Sequence, residues 1–466
     1  MTSRHQFTRH RTLVILGAGG DLSSRLLLPG VGQAIAGGHA VDLEVIGVGI
    51  DPMSTGHWRS LVAEAFTAGG ATGPEVDKVQ ATTTYLDLNV TVAADLKRLL
   101  AACSGAPTLY FAVPPAIAVA ACEALEGVDL PEGTILALEK PFGIDLASAQ
   151  SFNRTLSRLL PENQIHRVDH FLGKSTVLNL LGLRFANRIF EPVWNAENIE
   201  SVEIVFEERL GLEGRAGYYD GAGALIDMIQ SHLLLVLALI AIEPLSSLEP
   251  DDLRGAMAQA LRATRPAPAG TAHSSRRARY TAGNVDGRRF PSYGDEPGVD
   301  PVRGTETLAE MTLLIDNWRW AGVPFTVRSG KAMGGTRKEI VVSFKPVPHL
   351  PIGFAGQAPP DRLTISLSPD DMHLDINING AGDPFALDRV TLHTAFVEGE
   401  LGPYGEVLAG ILSNDPTLSV RGDVVEQCWR IVEPVLEAWS RGEVPLDEYT
   451  AGTTGPQSWS ALEASA

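Results

Sequence analysis

The first third of the chain alternates short apolar runs typical of β-strands with amphipathic helical patterns. The strand-like runs are Thr12–Leu16, Leu43–Val48, Thr108–Ala112 and Thr134–Leu138. The helical patterns between them are Leu22–Ala34, Trp58–Phe66, Ala94–Ala102 and Ile117–Leu125. Such alternation indicates βαβ units, which build a parallel sheet with helices on its faces. We therefore predict that residues 1–160 form a Rossmann-like, doubly wound α/β domain of the type that binds nucleotides.

A different order of patterns predicts a second, larger domain over residues 161–466. The helical patterns in this part and just before it are Leu146–Leu159, Gly173–Phe190, Gly223–Ile242 and, later, Val424–Trp439. The strand-like segments are Val202–Phe206, Ile340–Phe344, Leu363–Leu367 and Leu374–Ile378. Runs of helices followed by runs of strands predict an α+β domain with a mostly antiparallel sheet. The Gly-, Pro-, Arg- and Ser-rich stretch Arg265–Pro297 is expected to be a long excursion over the surface.

The charge balance argues against a nucleic-acid-binding protein. The chain has 56 acidic and 37 basic residues, a formal net charge of -19, and no run of Lys and Arg. Neutralising nucleic-acid phosphates requires a basic face, which this composition does not supply. A small anionic substrate remains compatible with the composition, because a few basic residues gathered at one point suffice to bind it.

Cysteine usage and apolar run length predict a cytoplasmic protein. The three cysteines, Cys103, Cys122 and Cys428, are too far apart in sequence for a CxxC metal site and do not suggest a disulfide framework. This usage favours a reducing compartment. The longest apolar run, Leu233–Ile242, is shorter than the roughly 20 residues that span a bilayer. We therefore expect no membrane anchoring and no metal site.

A glycine-rich segment follows the first predicted strand and opens the first helix. Its residues are Gly17, Ala18, Gly19, Gly20, Asp21 and Leu22. Glycines at such a turn let a pyrophosphate approach the backbone N–H groups at a helix N-terminus. Leu22 stands where the full G-x-G-x-x-G fingerprint has its third glycine, so the motif alone is weak evidence. Its position between a strand and a helix makes it a candidate coenzyme site.

The end of the second predicted strand bears on which coenzyme is used. In a dinucleotide-binding fold an acid at this point binds the ribose 2′-hydroxyl of NAD, whereas an arginine binds the 2′-phosphate of NADP. The sequence has Ile50 followed by Asp51, and no arginine. An equally good alternative is that Asp51 caps the next turn together with Pro52.

One apolar helical pattern, residues 221–242, contains four polar residues within six positions. These are Asp227, Gln230, Ser231 and His232. At α-helical spacing the first three share a face and His232 lies well around the axis. A single histidine in an apolar helix is more often a core residue than a base. If a distant carboxylate such as Asp169 binds one ring nitrogen, however, the other becomes a proton acceptor of near-neutral pKa.

Three lysines and a histidine are candidate anion-binding residues. His170 and Lys174 are four apart at the start of a predicted helix, where side-chain charge and helix dipole both favour a phosphate. Lys140 follows a predicted parallel strand, and Lys331 is expected in a glycine turn. Taken singly, each lysine is more often a solvated surface charge, and Asp169 is as readily the N-cap of a solvated first turn.

Taken together, these motifs identify the chain as similar to the glucose-6-phosphate dehydrogenase family. The resemblance covers nearly the whole chain in the family's order. The matching motifs are Gly17–Leu22, Glu139–Gly143, Arg167–Lys174, Asn179–Asn195, Glu213–Asp220, Asp227–Leu234, Tyr280–Gly283, Thr305–Thr307, Ile315–Lys331, Phe344–Pro348 and Tyr449–Pro456. The resemblance implies oxidation of glucose 6-phosphate at C1 to the 1,5-lactone, with hydride transfer to NAD(P), the first step of the oxidative pentose phosphate pathway. It also implies a homodimer or homotetramer that pairs through the large sheet.

The same resemblance assigns roles to individual residues. It implies that His232 is the general base and that Asp169 orients it and stabilises the imidazolium. The residues implied to bind the 6-phosphate are His170, Lys174 and Lys331. Those implied to bind sugar hydroxyls are Lys140, Glu208 and Asp227. Those implied to contact the coenzyme are Gly17, Ala18, Gly19, Gly20, Asp21, Leu22, Asp51, Pro114 and Lys140.

The chain departs from the family pattern at three positions. Ile50 replaces an arginine that holds the 2′-phosphate of NADP, so NAD is favoured although the family resemblance implies NADP. Phe171 replaces a tyrosine that helps to bind the substrate phosphate, a loss of ~1.5–3 kcal/mol of binding unless it is compensated. Ser231 replaces the asparagine before the catalytic histidine. These changes leave two alternatives open: a dehydrogenase of another phosphosugar, or a non-catalytic regulatory paralogue.

Overall fold

The structure is a computed structural model that describes residues 10–268, 274–396 and 399–459. The chain divides into two units. The first takes the described residues of 1–175 together with 245–258 and 399–426, and the second takes those of 176–244, 259–398 and 427–466. The units differ from the predicted domains because the first continues past residue 160 and includes two later segments.

The first unit is built on a seven-stranded sheet. Its strands are β1 (Arg11–Leu16), β2 (Leu43–Gly49), β3 (Thr84–Asp87), β4 (Ala106–Phe111), β5 (Ile135–Glu139), β6 (Ile165–Val168) and β18 (Ser419–Val420). The spatial order is β18-β6-β5-β4-β1-β2-β3, and every pair is parallel except β18 with β6. The order 3-2-1-4-5-6 of the first six strands is that of a doubly wound dinucleotide-binding sheet. The predicted Rossmann-like fold is confirmed.

Helices connect these strands. They are α1 (Leu28–Ala36, preceded by a π-helical turn Ser23–Leu27), α2 (Thr55–Ala68), α3 (Pro74–Thr82), α4 (Ala93–Ala102), α5 (Pro115–Leu125), α6 (Leu146–Leu159) and α11 (Pro403–Ser413). Aliphatic residues of β1, β2 and α1 form a buried core with residues of α11.

The start of helix α6 is fixed by residues close in sequence. The Asp145 carboxylate accepts from the Ser148 N–H, and the Ser148 hydroxyl accepts from the Asp145 N–H. This reciprocal capping box starts α6 where the sequence pattern predicts a helix.

The second unit contains a ten-stranded, mostly antiparallel sheet. Its strands are β7 (Ile199–Glu207), β8 (Thr264–Pro266), β9 (Ser275–Thr281), β12 (Leu308–Ile315), β13 (Phe325–Gly330), β14 (Arg337–Phe344), β15 (Arg362–Leu367), β16 (Asp370–Asn379), β17 (Leu387–Ala395) and β19 (Leu446–Thr450). They lie in the order β17-β16-β15-β14-β7-β13-β12-β9-β19, with β8 paired to β12. Strands β10 (Gly283–Val285) and β11 (Arg288–Phe290) form a separate hairpin. The predicted α+β class is confirmed.

The helices of this unit include one unusually apolar segment. They are α7 (Ser175–Phe185), α8 (Ala216–Ala224), a π-helix (Leu225–Leu233) and α9 (Leu234–Ala241). Helices α10 (Pro250–Ala263) and α12 (Gly422–Ser440) contribute residues to both units. Among the described residues, only Ala216–Ala241 is long and apolar enough to cross a membrane, and 89% of its most apolar stretch is buried inside the protein. Such burial is typical of a core helix.

The structure corrects two sequence expectations. The Arg265–Pro297 stretch is not merely a surface excursion, because its described part contains β8, β9, β10 and β11. The strand-like runs there are short and interrupted by Gly, Pro and Arg, so the sequence pattern does not reveal them. Strands β8 and β9 form by pairing with β12 and β19, which are distant in sequence, and β10 pairs with β11. The segment at Ile165 forms strand β6 and a 3₁₀ turn, His170–Gly173, before α7 begins. It therefore extends the parallel sheet rather than opening a helix.

Candidate active site

The glycine-rich turn is fixed by backbone hydrogen bonds and by lack of space. Gly17 follows β1 with φ = 85°, and its N–H donates to the Val48 carbonyl over 2.8 Å. A Cβ added at Gly17 would lie 2.3 Å from the Ala112 carbonyl oxygen, so a larger residue does not fit. Gly19, Gly20 and Asp21 are exposed, whereas Ala18 is buried. The turn therefore presents accessible backbone at the carboxyl end of the sheet, which fits a pyrophosphate.

Other predicted coenzyme residues follow neighbouring strands. Pro114 is the exposed residue before α5, and its carbonyl accepts from Ile117 and Ala118. Lys140 comes directly after β5. Because β5, β4 and β1 are adjacent and parallel, Lys140, Pro114 and the glycine turn lie along the same edge of the sheet. In this fold that edge is where ligands bind.

The end of β2 leaves Ile50 and Asp51 on the surface. Ile50 is 69% exposed. The Tyr85 hydroxyl donates to the Asp51 carbonyl over 2.9 Å, which fixes the backbone of this turn without using the carboxylate. The cap of helix α2 is Ser54, which accepts from His57 N–H. The capping alternative for Asp51 therefore does not apply to α2, and an exposed aliphatic residue followed by an exposed acid stands at the end of β2.

A buried carboxyl group stands directly before Lys140. The Tyr110 hydroxyl donates to Glu139 over 2.5 Å, and Tyr404 at the start of α11 also forms a hydrogen bond to Glu139. Burial raises the pKa of Glu139 to about 7, and the hydrogen bond from Tyr110 only partly opposes it. The peptide bond between Lys140 and Pro141 is cis. Tyr404 was not a sequence candidate, because the only local signal is an ordinary Pro-Tyr helix start far along the chain.

The residues predicted to bind a phosphate in the first unit surround the 3₁₀ turn after β6. Asp169 is 2% exposed and accepts from the Phe171 N–H over 3.0 Å, so it is the N-cap of this turn. The His170 ring stacks on Tyr404, with centroids 5.4 Å apart. The Lys174 ammonium lies 5.1 Å from the centroid of the buried Phe171 ring. Phe171 thus contributes a cation–π contact to Lys174 but has no hydroxyl for a phosphate.

In the second unit, a π-helix carries the predicted general base. Asp227, Gln230 and His232 lie on the segment Leu225–Leu233 and are at most 6% exposed. Since i→i+5 hydrogen bonds place residues five apart on adjacent turns, Asp227 and His232 are closer in angle than α-helical spacing predicts. The sequence expectation that His232 lies well around the axis from Asp227 is therefore wrong for this helix. π-Helical segments often occur at functional sites.

Two further predicted residues form a partly buried ion pair just after the ends of two neighbouring strands. Glu208 and Lys331 follow the neighbouring parallel strands β7 and β13, and the Lys331 Nζ lies 3.0 Å from the Glu208 Oε2. Burial opposes ionisation of Glu208, but Lys331 and Lys338 outweigh it and lower its pKa. The Lys331 ammonium also lies 5.1 Å from the centroid of the Tyr219 ring. Lys331 is 4% exposed, so the surface-charge alternative is wrong for it.

The start of the π-helix rests on a buried carboxyl group, Glu306. Its Oε1 accepts from the Leu225 N–H over 3.0 Å. A Cβ at Gly223 would lie 2.3 Å from the same oxygen, so glycine is needed there for Glu306 to approach. Burial raises the pKa of Glu306 to about 7.

We expect Glu306 to make stability depend on pH. Between pH 4.5 and 7 the folded protein keeps the Glu306 proton while the unfolded chain releases it, so the free energy of unfolding falls as pH rises. The total fall is about 3 kcal/mol, and most of it is expected between pH 5 and 8. Glu306→Gln keeps the acceptor but cannot titrate, so its free energy of unfolding is expected to fall less over this range. Urea unfolding of both proteins at pH 5 and pH 8 measures the difference, and equal falls would contradict the assignment.

The predicted residues therefore occur in two groups. The first unit holds the coenzyme candidates Gly17–Leu22, Asp51 and Pro114 and the ligand candidates Lys140, Asp169, His170 and Lys174. The second unit holds Glu208, Asp227, His232 and Lys331. The structure adds Tyr404 to the first group and Lys338, which lies 3.4 Å from Glu208, to the second. Sequence reasoning missed Lys338 because it sits within strand β14, where an isolated lysine has no distinguishing pattern.

Comparison with known proteins identifies a family that covers both units. Residues 14–179 match the model described as "Glucose-6-phosphate dehydrogenase, NAD binding domain", and residues 181–466 match the C-terminal domain model of the same family. The glucose-6-phosphate 1-dehydrogenase of Gluconobacter oxydans is 39% identical, over 97% of this chain and 96% of the relative. That of Rhizobium meliloti is 36% identical, over 96% of this chain and 95% of the relative.

Solved structures agree with this comparison. A glucose-6-phosphate dehydrogenase in complex with glucose 6-phosphate superimposes with a TM-score of 0.89 at 28% identity, covering 99% of this chain and 98% of the other. The enzyme from Mycobacterium avium gives a TM-score of 0.85 at 32% identity, covering 98% and 97%. The chain belongs to the glucose-6-phosphate dehydrogenase family.

Proposed function

We propose that the protein oxidises glucose 6-phosphate at C1 to 6-phosphoglucono-1,5-lactone, with NAD(P) as hydride acceptor. The observation that carries this proposal is the buried π-helix with His232, Asp227 and Gln230, in a chain that matches the family over both domain models. A structure neighbour with this fold is a complex with glucose 6-phosphate. We also retain residues 1–160 as the coenzyme part and 161–466 as the substrate and oligomerisation part.

In the proposed mechanism, His232 removes the proton from the C1 hydroxyl. Near-neutral imidazole is suited to this step, because it accepts a proton at working pH and releases it afterwards. Asp169 is proposed to stabilise the imidazolium, as a carboxylate does beside a catalytic histidine. When bound, the nicotinamide supplies the acceptor for the C1 hydride. The glycine turn at Gly17 fits a pyrophosphate, because a Cβ there would collide with the Ala112 carbonyl.

The remaining candidates are proposed to hold the sugar phosphate. His170, Lys174 and Lys331 supply positive charge for the phosphate, and a compact set of cations binds such a dianion strongly. Glu208, Asp227 and Lys140 are proposed to bind sugar hydroxyls. The pairing of Glu208 with Lys331 supports this role, because it keeps the carboxylate ionised and able to accept hydroxyl hydrogen bonds. The acidic net charge of the chain does not oppose the proposal, since the cations needed are local.

A panel of phosphosugars tests the proposed reaction. Purified protein with NAD or NADP is expected to produce reduced nicotinamide absorbance with glucose 6-phosphate, and much less with its epimers or with free glucose. A larger kcat/KM for another hexose phosphate would favour the alternative that Phe171 raises, a dehydrogenase with a different sugar specificity. Absence of coenzyme reduction with every sugar would support the regulatory alternative instead.

We further propose that the protein is a cytoplasmic homodimer or homotetramer that pairs through the large sheet. The exposure of Ile378 on β16 and Leu392 on β17, 43% and 54%, supports a partner on this part of the sheet. Light scattering of the purified protein measures the mass. A monomer at micromolar concentration would contradict this part of the proposal.

A further inference from the structure

Outside the candidate active site, two histidines and an aspartate meet on the last two strands of the large sheet. Strand β17 lies at the edge of the sheet, and among the described residues it pairs with β16 alone. His373 on β16 lies directly opposite His393 on β17 in the antiparallel register. Asp371 is two residues from His373, so all three side chains are on one face of the sheet. Neither the proposed reaction nor the family motifs use these residues.

The side chains converge on one point. The His373 Nε2 is 3.3 Å from the Asp371 Oδ1, and the His393 Nε2 is 3.8 Å from the Asp371 Oδ2. The two imidazole rings stack with centroids 4.6 Å apart and planes 29° apart. One possible ligand atom from each residue lies within 4.8 Å of the other two. Two ligand atoms each about 2.1 Å from a tetrahedral ion are themselves about 3.4 Å apart, close to the observed spacing.

The hydrogen bonding of this cluster is incomplete. The Asp371 Oδ1 is buried and accepts no hydrogen bond from the described residues, although the His373 nitrogen is only 3.3 Å away. A buried carboxylate oxygen without a partner is costly, and a cation removes that cost. In the single chain the side chains of His373 and His393 are 39% and 52% exposed, which leaves room for an ion between them and Asp371. Ser366 and Thr364 oppose Asp371 and His373 on β15, which makes this face polar.

We propose that Asp371, His373 and His393 bind a divalent first-row transition metal ion that clips the edge strand β17 to β16. Two imidazoles and one carboxylate are ligands that suit Zn²⁺. Co²⁺ binds the same ligands, and its visible absorption reveals the coordination geometry. The bound ion stabilises the pairing of β16 with β17 and does not contact the residues proposed for the reaction. Strands β15 and β14 separate β16 from β7, which precedes Glu208, a distance of about 14 Å at 4.8 Å per strand.

Metal titration of the full-length, untagged protein tests the proposal. After chelator treatment and dialysis, Co²⁺ is added and its visible absorption is followed, and Zn²⁺ is then added in competition. The wild type is expected to bind one Co²⁺ per chain and to release it to Zn²⁺. His373→Ala and His393→Ala are each expected to weaken Co²⁺ binding by about tenfold or more, and Asp371→Asn to weaken it as well. His349→Ala, which removes an exposed histidine from a loop of the same unit, is the matched control and should bind as the wild type does.

A second measurement separates metal binding from folding. Each variant is first required to show the wild-type thermal unfolding temperature without metal, and His373→Gln or His393→Gln replaces the corresponding alanine variant if that variant fails. Hydrogen exchange of the β17 amides is expected to slow when Zn²⁺ binds to the wild type and to stay unchanged in His373→Ala. Equal Co²⁺ titrations of the wild type and both histidine variants, or the absence of saturable binding at one ion per chain, would overturn the assignment. Unchanged binding in Asp371→Asn alone would overturn the three-ligand site.

Discussion

His232→Asn is expected to lower kcat for glucose 6-phosphate oxidation by ~10²–10⁴-fold while changing KM little. Asparagine is similar in size and can still form hydrogen bonds, but it cannot take up the C1 hydroxyl proton. His232 is 2% exposed within the π-helix, so the effect does not come from a change of surface charge. Because the sugar phosphate is proposed to be held by other residues, binding should survive the substitution.

Steady-state kinetics over a pH range is the measurement. The wild type is expected to lose kcat at low pH, as the base becomes protonated, and the residual activity of His232→Asn should lack this dependence. His57→Asn is the control, since His57 is exposed on α2. Thermal unfolding of each protein checks that the buried substitution leaves the fold intact. Near-normal turnover by a folded His232→Asn protein would refute the role of His232 as base.

Ile50→Arg is expected to raise kcat/KM for NADP by ~10–100-fold and to change that for NAD much less. A hydrogen bond to a charged group contributes about 1.5–3 kcal/mol, and 1.36 kcal/mol corresponds to a factor of ten. The side chain at position 50 is 69% exposed, and the backbone of the next residue is fixed by the hydrogen bond from the Tyr85 hydroxyl to the Asp51 carbonyl. An arginine can therefore extend into solvent without disturbing the core.

The wild type is expected to prefer NAD, because Asp51 follows Ile50 and repels a 2′-phosphate. Ile50→Met is the matched control: it is long and flexible but uncharged, and it should not improve NADP use. Raising the ionic strength should reduce the gain in Ile50→Arg, since the new contact is exposed to salt. A strong NADP preference in the wild type would show that other residues bind the 2′-phosphate and would contradict the inference from Ile50.

Much of the first unit was predictable because its signals are local. Strand β1 follows its predicted run within one residue, and α6 follows its predicted pattern and has a capping box. Helix α3 and strand β3 were missed, because α3 has few buried residues and β3 has only four residues. Both are stabilised by their neighbours, β3 by pairing with β2, and tertiary contacts of this kind override weak local propensity.

For the candidate site, the sequence identified most of the residues but not the contacts between them, because those contacts are tertiary. The motifs name Lys331 and Glu208, but the ion pair between them forms because β7 and β13 lie side by side, far apart in sequence. Tyr404 reaches Glu139 and stacks on His170 because α11 returns to the first unit late in the chain. Sequence spacing contains no information on such contacts, since they depend on the order of strands and the path of the chain.

The sequence by itself determined the two fold classes, the glycine turn after β1, the absence of an arginine at position 50 and the family motifs. Each of these depends on residue type and on spacing within one or two elements. Only the tertiary structure decided that Lys331 is buried, that Glu306 supports the start of a π-helix, and that this helix changes the angle between Asp227 and His232. Burial and helix type depend on the surrounding packing, so the same residues in isolation would have neither.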